Sequence, residues 1–166
     1  MPILGVKKSI RALLAVLPAV AILTVVTPAR ANEPRLCLPV RLTGAGQDLG
    51  PDSQGNLHTT ATISLGHVPI GTTNASFTPA GPPAGSELSF TGPIVFVARH
   101  GGATLTAQVR GNVDLSSGVF EATSSDISGT GVFAKLSGSV TLRGTEDLAT
   151  GAFSETIIGR LCSPLR

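Results

Sequence analysis

Ile127 to Gly144 reads I-S-G-T-G-V-F-A-K-L-S-G-S-V-T-L-R-G, and the reading of this stretch decides the fold. Gly129 and Gly131 flank Thr130 where a tight turn would hand one extended segment to the next, because glycine takes positive φ without the steric cost of a Cβ. From Leu136, the apolar or small residues Leu136, Gly138, Val140 and Leu142 alternate with Lys135, Ser137, Ser139, Thr141 and Arg143. That period of two belongs to a strand with one buried and one wet face. Gly131 is therefore expected in a positive-φ turn that launches a strand through Gly138.

The same alternation recurs on both sides. Leu36, Leu38, Val40 and Leu42 share one parity near the start, and Thr43 to Asn56 reads as a glycine- and aspartate-rich connection ending in the turn residues Asp52-Ser53-Gln54-Gly55-Asn56. His58 to Leu65 places Ala61, Ile63 and Leu65 on one face, and a weaker extended segment runs from Val68 to Phe77. Pro79 to Gly85, P-A-G-P-P-A-G, is a loop, since proline cannot donate to a ladder. Leu88, Phe90, Gly92, Ile94, Phe96 and Ala98 then share a face, and Val95 and Val97 add apolar groups to the other, so cover on part of both sides is expected here. His100-Gly101-Gly102 turns the chain into Ala103 to Val109, with Leu105, Ala107 and Val109 inward. Val119 to Ile127 and Ala152 to Leu161 complete the series.

About eight strands joined by short turns make an all-β domain, and a single antiparallel β-barrel is the expected architecture, its interior filled by side chains or holding one small ligand. Mid-strand glycines such as Gly92 and Gly138 suit the bends that closure needs. A two-sheet sandwich is the alternative.

The first 31 residues stand apart. Lys7, Lys8 and Arg11 precede the apolar run Ala12 to Val26, and Ala29-Arg30-Ala31 offers small residues where a signal peptidase reads. The run is shorter than the roughly 20 residues of a spanning helix and contains Pro18. A signal peptide over 1–31 and a β-barrel domain over 32–166 are the expected division, with a secreted or periplasmic location and no membrane association after cleavage. Four of the twelve basic residues leave with that segment, so the remaining domain carries eight basic against ten acidic residues. A mildly acidic domain without Trp or Tyr lacks both the basic patch and the stacking platforms of nucleic-acid binders.

Arg35-Leu36-Cys37-Leu38-Pro39 and Arg160-Leu161-Cys162-Ser163-Pro164 are near copies at opposite ends of the domain. In an exported protein a lone pair of cysteines is most simply one disulfide, Cys37 to Cys162, which requires the first and last strands to be neighbours or nearly so. The competing reading, a reactive or metal-binding thiol pair, has no C-x-x-C and no nearby histidine to support it.

Ile127-Ser128-Gly129-Thr130-Gly131-Val132-Phe133, with Gly138 seven residues after Gly131 and with Gly111, Asp114 and Phe120 before it, resembles the signature region of the allene oxide cyclase-like and dirigent-like barrel superfamily. The likeness covers Leu105 to Leu142, with Ser128, Leu136 and Ser137 standing where the superfamily tends to have glycine, alanine and arginine. It implies an eight-stranded antiparallel barrel with an apolar cavity, in a group that ranges from cyclases of reactive intermediates to proteins steering radical coupling. No catalytic residue of those enzymes can be placed on this chain.

Candidate ligand-binding residues are Phe90, Ile94, Phe96, Leu105 and Ile157 as an apolar lining, with Glu155 as the one acid at inward parity. A carboxyl group in an apolar barrel has a raised pKa and can act as a general acid or orient a ligand. A bulge at Gly159 would instead flip the parity and leave Glu155 on the surface. The three histidines are widely spaced, so no metal site is read, and no cofactor motif occurs; His100-Gly101-Gly102 has no G-x-S-x-G elbow to accompany it. Three functional readings remain: a carrier of a small apolar ligand, an exported structural or protein-interaction module with a packed interior, and a cyclase- or isomerase-type enzyme. The first two differ in interior volume, a void of a few hundred Å³ favouring the carrier.

Overall fold

In the computed structural model the described residues are 34–165, and the signal peptide expected over 1–31 lies outside them. Eight strands follow one another: β1 (Arg35–Pro51), β2 (Leu57–Leu65), β3 (Val68–Pro79), β4 (Glu87–Ala98), β5 (Thr104–Asp114), β6 (Val119–Gly129), β7 (Ser137–Glu146) and β8 (Ala152–Pro164). Each pairs antiparallel with the next, and β8 pairs with β1, so the sheet closes into a barrel. The expected all-β class and the eight-stranded barrel are both observed, and the sandwich is set aside. Closure gives every strand two neighbours, which limits the open edge among the terminal strands to residues 35–42 of β1, before its ladder with β2 begins.

Alternation decides what lies inside. Ile63 and Val109 are fully buried, and Phe90, Val113, Ala122, Ile127, Val140 and Leu142 complete the core around Val109. Val140 and Leu142 thus occupy the inward parity read for the strand through Gly138.

The disulfide forms as expected. Cys37 and Cys162 are directly opposed on β1 and β8, with Cα atoms 3.9 Å apart. The backbone N–H of Leu165 donates to the carbonyl of Pro34 at 2.9 Å, so both described ends lie at this end of the barrel. The β2–β3, β4–β5 and β6–β7 connections share that end. The other four connections, residues 52–56, 80–86, 115–118 and 147–151, lie at the opposite end, and the proline-rich loop is one of them.

Several expectations are corrected. Thr43 to Pro51 is strand rather than connection: β1 continues through it, pairing with β2 and, as far as Gln47, with β8. The turn after Ile127 is not a tight one, because residues 130–136 form a link with a short 3₁₀ turn at Gly131–Phe133, and β7 starts only at Ser137. Leu36 and Leu38 are 52% and 56% exposed, since pairing of β1 with β2 begins only at Thr43 and leaves that flank without a neighbour. Leu65 is exposed because it is the last residue of β2 and lies beyond the β1–β2 ladder, which reaches only Ser64. Val95 and Val97 are half-buried, but among the described residues no second layer covers β4; their cross-strand neighbours Asn74, Thr72, Thr106 and Thr104 provide the shielding.

Gly131 has φ of 57°, as its place in the sequence suggests, and a Cβ there would stand 3.1 Å from the Ala103 methyl. Gly131→Val is expected to lower stability by about 1 to 3 kcal/mol, because a β-branched residue is strained at positive φ. Thermal unfolding of the variant measures this, and an unchanged midpoint would contradict it.

Candidate functional site

A cavity of about 90 Å³, partly open to solvent, lies toward the barrel end opposite the disulfide. Most of its lining is apolar, with Phe77, Phe90, Ile94, Val113, Phe120 and Phe153 among it. Phe77 and Phe90 meet with ring centroids 4.9 Å apart, and Phe120 and Phe153 meet edge to face at 6.1 Å. Such pairs hold rings in fixed orientations.

The rings are accommodated by missing side chains on the strand beside them. Phe153 is opposite Gly46, Phe120 opposite Gly144 and Phe90 opposite Gly111. A Cβ on Gly46 would stand 2.5 Å from the Phe153 ring, and one on Gly111 would stand 2.7 Å from that of Phe90, so only glycine lets these rings lie against the wall. Gly44 and Gly46, two of the glycines that suggested a connection, are thus inward positions of β1.

Glu155 occupies the same kind of place. It is flanked across both ladders by Gly44 on β1 and Gly144 on β7, and a Cβ on Gly44 would stand 2.6 Å from its Oε1. Pairing of β8 with both neighbours runs without a register shift through Gly159, so the inward parity holds and the bulge that would have turned the acid outward is absent. Among the described residues no hydrogen bond or ion pair reaches its carboxyl group, and burial alone pushes its pKa up to about 7. No fully enclosed side-chain polar atom lacks a partner among the described residues. The carboxyl oxygens of Glu155 therefore open on the cavity.

Two further acids stand nearer the rim. Glu146 is the register partner of Phe153, and its pKa is raised by burial and then by the charge of Asp48. Asp48 lines the cavity from β1, and its Oδ1 accepts the backbone N–H of Gly50 at 2.9 Å. Among the described residues no three His, Cys, Asp or Glu side chains come together as a ligand set for one metal ion.

Of the residues singled out from sequence, Phe90, Ile94 and Glu155 line this cavity together. Phe96, Leu105 and Ile157 do not. Phe96 is opposite Leu105 and packs on Phe133 with ring centroids 6.1 Å apart, toward the disulfide end, and Leu105 and Ile157 pack against the core. Asp48, Phe77, Phe120, Glu146 and Phe153 were missed. Phe120 shares parity with the buried Ala122 and Ser124, so alternation carried a usable signal for it.

No family model matches the chain, and no curated protein matches it. Among solved structures, a pterocarpan synthase dirigent protein matches with a TM-score of 0.57 at 15% identity, covering 79% of this chain and 97% of that one. A second pterocarpan synthase dirigent protein matches with a TM-score of 0.57 at 13% identity, covering 78% of this chain and 86% of the other. The resemblance read from residues 105–142 thus holds at the level of fold: this is a dirigent-type barrel.

Proposed function

We propose that this dirigent-type barrel is an exported protein that takes a small, largely apolar ligand into its open end, with Glu155 as the buried polar contact. The observation that supports the reading is a cavity of about 90 Å³, walled by aromatic rings, onto which an unpartnered carboxyl group opens. Apolar walls with one convergent polar group are the usual make-up of a small-molecule site. Export is supported by the disulfide between Cys37 and Cys162, a bond that persists in oxidising compartments, together with the signal-like first 31 residues. The two solved structures compared above are pterocarpan synthase dirigent proteins, which agrees with a barrel that handles small molecules. No reaction is assigned to this chain.

One observation favours the packed-interior reading instead: the volume falls below the few hundred Å³ of a typical ligand pocket. Titration with the neutral fluorophore N-phenyl-1-naphthylamine separates the two. The carrier reading expects saturable binding, lost in Ala75→Phe, whose ring would enter the cavity that Ala75 lines, with little change in melting temperature. A packed interior expects no saturable binding and a cost of about 1 to 3 kcal/mol for the same substitution.

A further inference from the structure

The lining of the cavity is divided. Among the described residues, every titratable group in it comes from three consecutive strands: Asp48 on β1, Glu155 on β8 and Glu146 on β7. The five remaining strands, β2 to β6, contribute Leu57, Thr59, Phe77, Phe90, Ile94 and Phe120 among others, all uncharged. No Lys, Arg or His among the described residues lines the cavity. The register orders the acids by depth, with Glu155 level with Gly44 and Gly144, Glu146 level with Phe153, and Asp48 two residues beyond Gly46 toward the rim.

We infer that the ligand is an amphipathic cation, a compact aromatic or aliphatic body carrying a protonated amine, with the amine against the β7-β8-β1 wall and the body against β2 to β6. This deepens the ligand-carrier reading and rests on it. A neutral apolar molecule would strip water from the acids of one wall and return nothing to them, which is costly for charged groups. An ammonium group supplies both the opposite charge and N–H donors, of which the Glu155 carboxyl group has none among the described residues. The three acids form no common metal-ligand set, so a single ion does not satisfy the wall in the way an extended molecule lying along it does.

The charge of Glu155 then sets the pH dependence. Among the described residues, the strands packed against it present only Asp48 and Glu146 as other titratable cavity groups, both acidic, and the opposite wall presents none. Deprotonation of Glu155 as pH rises through about 7 strengthens its hold on an amine and leaves a neutral ligand unaffected.

The test displaces N-phenyl-1-naphthylamine from the full oxidised protein with phenethylamine or with its neutral counterpart 2-phenylethanol. The amine is expected to compete about tenfold better at pH 8, with an advantage that shrinks toward pH 5 and in added salt. In Glu155→Gln the advantage falls and its pH dependence shrinks to the smaller part that the raised Glu146 carries, while binding of 2-phenylethanol persists, which shows the barrel is folded. Asp48→Asn is expected to lower the advantage without removing the pH dependence. Equal or better competition by 2-phenylethanol overturns the cation inference and leaves the carrier reading standing. No saturable binding of the fluorophore overturns both.

Discussion

Glu155→Gln should raise the stability of the folded protein by about 3 kcal/mol at pH 8 and leave it nearly unchanged at pH 4. The sign follows from the direction of the shift. In the unfolded chain this carboxyl group loses its proton near the ordinary value of 4.5, whereas in the barrel burial holds the proton to about 7. Between those values the folded state binds more protons than the unfolded one, so the wild-type protein loses stability as pH rises through the window and levels off above it. Glutamine cannot ionise and has nearly the same shape as the protonated acid, so the loss disappears with it. The measurement is a pair of urea unfolding series from pH 4 to 8. A weaker slope of the same sign is expected to remain in the variant, because burial also raises Glu146. Acids held below their ordinary range, such as Asp114 at about 2, act only at lower pH. Parallel wild-type and variant curves would mean that the Glu155 carboxyl group is fully hydrated and does not sit on an apolar cavity.

The paired substitution Cys37→Ser with Cys162→Ser should cost about 3 to 5 kcal/mol, a larger loss than that expected from Gly131→Val. The bond closes a loop spanning a sequence separation of 125, and in the chain-entropy account a cross-link of that span removes much of the freedom of the unfolded chain. Its local position adds to this. Residues 35–42 of β1 are paired on the β8 side but lie outside the β1–β2 ladder, so the clasp secures a stretch of the barrel that has a partner on a single flank. Denaturant unfolding with and without reductant, set beside the double variant, measures the effect. Equal midpoints would show that the β1–β8 ladder alone holds the ends. Ligand binding at the far end should survive wherever the reduced protein remains folded.

The sequence revealed the barrel more fully than the site, for a physical reason. A period of two says which residues point inward, and it identified Val140, Leu142, Phe90 and Glu155 correctly because β4, β7 and β8 run straight through those positions. It does not say how deep along the barrel axis an inward residue lies. Phe96, Leu105 and Ile157 have the inward parity but lie at a different depth from the cavity, while Phe120 and Phe153 are inward and at its depth. Gly44, Gly46 and Asp48 were hidden for another reason. Glycine and aspartate close together read locally as a turn, yet here the glycines leave room for Glu155 and Phe153 from a strand more than 100 residues away in the chain. Only the closed register makes that pairing visible. The disulfide was legible because its two flanking tripeptides repeat and exported proteins leave few other uses for a lone cysteine pair.

Pro34 and Leu165 are hydrogen-bonded to each other beside the Cys37–Cys162 bond, at the barrel end remote from the cavity. Anything grafted at either position, whether a purification tag, a spacer to a surface or a fused domain, therefore begins about one strand length from the opening. The molecule can be immobilised by its clasped end with the cavity still facing the solution, and the four loops around the opening, residues 52–56, 80–86, 115–118 and 147–151, can be diversified as a set without disturbing the anchor. Such a division between a fixed base and a variable rim is the arrangement sought in an engineered binding scaffold.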